Sequence, residues 1–166
     1  MLQFIDTHIH LQDFKPDFAP QVLACLQKSV TISTQEEDYE KIADLMRKYP
    51  DKISGAFGVH PWYAKEEFHI ELLREKLKQF PKAVVGEIGV DELREKVSDA
   101  QHQLFSVQLA VAKEFNRPVV VHAARAFNAL TEHESELKQV KYLKTLLWRI
   151  GAETMSTSLF QEYTKP

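Results

Sequence analysis

The feature that most constrains the fold is an alternation along the chain. Short apolar, β-branched runs are separated by longer amphipathic stretches, which is the pattern of successive strand–helix units. Strands are predicted over 3–9, 30–33, 53–59, 83–88 and 118–122. Runs such as AVVGEIGV and PVVVH are almost continuously apolar, as parallel strands covered on both faces must be. Between them, 19–28 carries Val22, Leu23 and Leu26 at helical spacing. The segment 38–49 carries Tyr39, Ile42, Ala43, Leu45 and Met46 and stops before Pro50. The segment 66–80 carries Ile70, Leu73 and Leu77 and stops before Pro81. A fourth helix, 98–115, opens on Ser98 as an N-cap and buries Leu104, Phe105, Leu109, Val111 and Ala112. From 126 to 150, with Leu130, Leu137, Val140, Leu143 and Leu147, one long helix or two are expected. Residues 153–166 have no clear period and read as a loose tail.

Five strands, each followed by a helix, make an α/β protein of parallel βα units. A closed (β/α)₈ barrel takes eight such units and about 250 residues, and 166 residues are too few for it. Two architectures fit: an open five-stranded sheet, or an incomplete TIM-barrel of about five of eight units. We expect a partial barrel domain over 1–130 and a divergent helical or loose tail over 131–166.

Bulk composition narrows the function classes. With 44% hydrophobic and 27% charged residues the chain can bury a core, and its net charge of −3 supplies no basic field for nucleic acid or a membrane. A phosphate-handling chemistry would need a local patch or a metal. The single cysteine, Cys25, excludes an internal disulfide; among APQVLACLQ it is expected to be a buried thiol. The opening MLQFIDTHIH is not a signal peptide, and no run approaches the roughly eighteen apolar residues of a membrane span. A soluble, cytoplasmic protein is the expectation.

Candidate chemistry collects at strand ends. Asp6-Thr7-His8-Ile9-His10 closes the first strand, and residues two apart share a face of a strand. His8 and His10 therefore project together, either as half of a zinc- or manganese-type ligand set or as a surface pair. Glu87 interrupts an apolar strand in VVGEIGVD. A buried carboxylate is costly unless it meets a cation or a paired neighbour, and the flanking glycines permit close backbone approach. His122 ends the strand PVVVH, as a ligand or as a satisfied core histidine. His60, in GVHPW, is placed to bind a phosphate or carboxylate, or to stiffen a loop. Asp91 and Arg125 stand one position beyond their strands, to orient ligands, hold phosphate or serve structure alone. His69, His102 and His133 lie on predicted helices among polar neighbours and are expected to be solvated. In parallel α/β folds the C-terminal strand ends are where sites are built, and four such ends bear His or Glu.

The stretches FIDTHIHL, GVHPWY, GEIGVD and QHQLFSVQLAVAKEFNRPVVVHAARA resemble, in order and over about residues 1–130, the successive signatures of the TatD family of metal-dependent deoxyribonucleases. That resemblance implies the TIM-barrel fold of metallo-dependent hydrolases and metal-assisted cleavage of phosphodiester bonds in DNA. It implies two divalent ions, Zn, Mn or Mg. His8 and His10 would be ligands of one, His122 of the second, with Glu87 bridging them as the catalytic carboxylate. His60 would lie in the substrate pocket. The family pattern continues with a further strand-end histidine and an aspartate in an E-T-D setting, and nothing after Leu130 resembles either, so we expect reduced turnover. The alternatives are a catalytically inactive remnant, an interaction protein that self-associates through open sheet edges at 3–9 and 118–122, and a hydrolase of amides or lactones.

Overall fold

A computed structural model describes residues 4–64, 68–93 and 96–140, together with the backbone of Tyr142–Thr145. Six parallel strands lie in sequential order in one sheet: β1 (Phe4–Ile9), β2 (Leu26–Ile32), β3 (Ile53–Phe57), β4 (Val84–Asp91), β5 (Val119–Ala124) and β6 (Tyr142–Thr145). Between them run α1 (Ala19–Cys25), α2 (Tyr39–Lys48), α3 (Ile70–Gln79), α4 (Asp99–Glu114), and the pair α5 (Phe127–Thr131) and α6 (Glu134–Leu137). Every strand pairs with the next in sequence, which is the winding of a curled partial TIM-barrel rather than of a doubly wound sheet.

Side-chain alternation sorts the core into two layers. Val85, Ile88, Val90, Val119 and Val121 pack outward against helix residues Ile42, Leu73, Leu77, Phe105 and Leu109. Ile32, Ala56 and Val120 form a small cluster of their own with Val30 and Val84, on the other face of the sheet. His122, two residues beyond Val120, shares that face. β4 carries an irregularity: it advances three residues, Val85 to Ile88, while β5 advances two, Val119 to Val121. The extra residue is a bulge, a device that re-aims a side chain, and Glu87 sits in it. At Gly89, φ is +148° and a Cβ would collide with the carbonyl oxygen of His122, so only glycine lets β4 approach β5 this closely.

Several expectations are corrected. Within the described part of 126–150 the helical stretch is two short helices, α5 and α6, and β6 follows as a sixth strand paired with β5. The loose tail, 153–166, lies outside the described residues. The second strand begins at Leu26, so α1 stops at Cys25 instead of running to 28. Cys25 is exposed: α1 buries Ala19 and Leu23, and two residues past Leu23 the helix surface faces roughly the opposite way. β4 extends to Asp91, which puts Glu87 mid-strand. β5 is covered on both sides, leaving β1 and β6 as the sheet edges among the described residues. His133 is buried, because α5 and α6 fold back on α4: it hydrogen-bonds His102 Nδ1 at 2.8 Å and Glu136 at 2.7 Å, and packs edge-on to Phe105. Among the described residues no helix is long and apolar enough to cross a membrane.

Candidate metal centre

Glu87 is the hub. It is 2% exposed, and its two carboxylate oxygens face different histidines. Oε2 lies 3.3 Å from His8 Nε2, and Oε1 lies 3.0 Å from His122 Nδ1. Burial disfavours the carboxylate, but hydrogen bonds from His122 and His8 and their positive charge outweigh it, holding the Glu87 pKa well below the ordinary carboxylate range.

Each histidine is oriented by the structure around it. His10 Nδ1 donates to the carbonyl of Ile32 at 2.8 Å, since a carbonyl can only accept; the neutral ring then carries its lone pair on Nε2, the tautomer a ligand needs. Among the described residues His8 Nδ1 is buried without a hydrogen-bond partner, and the two rings stand edge-on, 5.2 Å apart. His122 donates from both nitrogens, to Glu87 and, at 2.6 Å, to Asp91 Oδ2. Burial disfavours its imidazolium, yet those two carboxylates raise its pKa above the ordinary histidine value. Asp91 is in turn fixed by the Leu93 N–H on Oδ1 at 2.7 Å.

Two sets of donor atoms thus meet at one carboxylate: His8, His10 and Glu87, and His60, Glu87 and His122, each with one atom per residue within 4.8 Å of the others. The donor set fits a divalent cation. Nitrogen and carboxylate ligands suit Zn or Mn, the orphaned His8 Nδ1 lacks a partner, and a cation in place of the His122 Nδ1 proton would leave the Nε2–H···Asp91 bond intact, the usual outer support of a metal-bound histidine.

His60 belongs to this cluster in space but differs in chemistry. Its Nδ1 accepts the N–H of Trp62 at 3.1 Å, so the neutral ring carries its proton on Nε2. Its pKa falls to about 4, chiefly through burial and then through the charge of His122, whose ring is 4.1 Å away. At neutral pH His60 offers a donating Nε2–H, its Nδ1 lone pair being taken by the Trp62 N–H.

Of the residues singled out in the sequence, His8, His10, His60, Glu87 and His122 are brought together, and so is Asp91. Arg125 is not: it is an exposed residue with φ +54° just past β5, without a hydrogen bond or ion pair to Glu87 or the histidines.

Residues 5–154 match the TatD related DNase family. The chain belongs to that family. It is 30% identical over 146 residues to a protein of Haemophilus influenzae named an uncharacterized metal-dependent hydrolase, covering 78% of this chain and 56% of that one. It is 30% identical over 129 residues to a 3'-5' ssDNA/RNA exonuclease TatD of Dickeya dadantii, covering 74% and 49%. Among solved structures it superposes on the TatD homolog YjjV of Escherichia coli with a TM-score of 0.66 at 29% identity, covering 80% of this chain and 56% of that one. The chain therefore spans about half the length of the relatives it matches.

Proposed function

We propose that this TatD-family chain is a metal-dependent hydrolase of phosphodiester bonds, acting on nucleic acid and in particular on DNA. The observation that carries the reading is the Glu87 carboxylate, with one oxygen turned to the His8 side and the other to His122. His8 and His10 would hold one divalent ion and His122 a second, with Glu87 shared. Such ions would lower the pKa of a bound water, orient the phosphate and neutralise charge on the leaving oxygen. His60, neutral and donating from Nε2, would hydrogen-bond a non-bridging phosphate oxygen. The nuclease name of the Dickeya relative and the near-neutral charge of the chain, −3, support local rather than long-range handling of phosphate.

Turnover by these 166 residues alone is expected to be low. Asp91 is engaged by His122 Nε2 and the Leu93 N–H and Glu87 would be shared by the two ions, which leaves neither free to deprotonate water, and loss of a general base commonly lowers rate by about 10²–10⁴-fold. The test is cleavage of 3'-labelled single-stranded and duplex DNA with Mn²⁺, Zn²⁺ or Mg²⁺. Slow, metal-dependent cleavage that vanishes in Glu87→Ala is expected; cleavage unaffected by chelator would overturn the reading.

A second reading, self-association, is favoured by one observation. β1 is an edge strand whose Phe4 and Ile5 are 61% and 59% exposed, and open apolar edges invite pairing. Light scattering across a concentration series tests it: a constant monomer mass rejects it.

A further inference from the structure

We infer that Gln101 and Gln108 are positioning residues of the candidate site: two buried carboxamides on one face of α4 that clamp the strand ends bearing Asp91 and His60. Seven residues apart, they lie two helical turns along the same stripe, with apolar Leu104 and Phe105 between them. Gln108 is fully buried. Its Oε1 accepts the N–H of Val59 at 2.7 Å and its Nε2 donates to the carbonyl of the same residue at 3.1 Å. Gln101, 4% exposed, repeats this on Asp91: Oε1 accepts the backbone N–H at 2.9 Å and Nε2 donates to the carbonyl at 3.3 Å.

A carboxamide among apolar side chains is unfavourable unless both arms are paired. Here each pair of arms closes on the N–H and C=O of one residue, so the helix fixes that residue as a neighbouring strand would. The consequences run into the site. Val59 is followed directly by His60, whose own N–H donates to the carbonyl of Thr34 at 2.8 Å. Asp91, held through its backbone, passes its carboxylate to His122 Nε2. α4 thereby sets two rings that meet edge-on with centroids 4.1 Å apart, while neither glutamine bonds to His8 or His10. The clamp serves one half of the site.

The test uses Gln101→Met and Gln108→Met, which keep side-chain length and remove both arms, with the exposed Gln103→Met on the same helix as control. In metal-free protein, long-range ¹H–¹⁵N spectra report the histidine ring nitrogens. Gln101→Met should shift the His122 signals, Gln108→Met those of His60, and both should leave His8 and His10 in place. Where metal affinity is the readout the inference rests on the proposed function: Mn²⁺ binding should weaken about 10- to 100-fold in Gln101→Met and stay unchanged in Gln103→Met. If a methionine variant does not fold, the corresponding asparagine variant, which keeps the amide and shortens its reach by one methylene, should show the same pattern at smaller size. Folded variants whose His122 and His60 signals match wild type would overturn the clamp. A wild type that binds no Mn²⁺ would remove the metal reading, and the ring-nitrogen spectra would then decide the clamp on their own.

Discussion

The two halves of the candidate site stand on different ground. Glu87 and His122 lie on the central strands β4 and β5, each 2% exposed, with both nitrogens of His122 paired and Asp91 behind it. His8 comes from β1, an edge strand whose pairing with β2 breaks register twice, and His10 stands directly after its last residue. The His8 side chain is 20% exposed and one of its nitrogens has no partner. The buried half is held by protein groups alone; the edge half has fewer such groups, and a cation would supply more of its order. The number of protein groups that orient each half follows its position in the sheet.

The largest effect should come from the residue common to both halves. Glu87→Ala should lower metal-supported DNA cleavage by about 10³-fold or more, and Glu87→Gln, which keeps the shape, should lose nearly as much; comparable turnover in either would separate Glu87 from the chemistry. Stability next distinguishes the halves. In metal-free protein, His122→Ala strands two buried carboxylates, and breaking such a group costs about 3–5 kcal/mol. His8→Ala, at a partly exposed position with one partner, should cost about 1 kcal/mol. Urea denaturation of both variants checks this, and equal losses would erase the distinction.

A smaller effect concerns pH. The folded His60 pKa of about 4 lies below that of a free histidine, about 6.5, so its contribution to stability is present above pH 6.5 and lost as pH falls toward 4. The magnitude is up to about 3 kcal/mol by linkage. Metal-free His60→Gln should lose less stability than wild type between pH 6.5 and 4; parallel curves would reject the assignment. The smallest effect is at the edge. Phe4→Lys and Ile5→Lys should change stability by about 0.5 kcal/mol or less, while reducing any self-association seen by light scattering.

The sequence carried more of the site than of the fold's limits. His8, His10, Glu87 and His122 could be read from strand ends because period-two alternation and the cost of a buried carboxylate are local signals. The bulge at Glu87 could not, since it depends on register with β5. Arg125 looked equivalent to Asp91 in sequence; only the backbone, left-handed at one and extended at the other, separates them. Gln101 and Gln108 left a trace, two amides on an apolar helical stripe, but their partners are distant backbone groups that no local pattern names. β6 was hidden because Tyr142–Thr145 is short and polar enough to pass for helix. His133 looked solvated until α6 packed on α4.

One carboxylate would join two histidine sets around divalent metal. Anomalous diffraction from crystals grown with Mn²⁺ tests it most directly. Manganese should be bonded to Glu87, with His8 and His10 on one side and His122, still hydrogen-bonded to Asp91, on the other. Manganese bound elsewhere, with Glu87 still paired to His8 and His122 as in the metal-free protein, would contradict it.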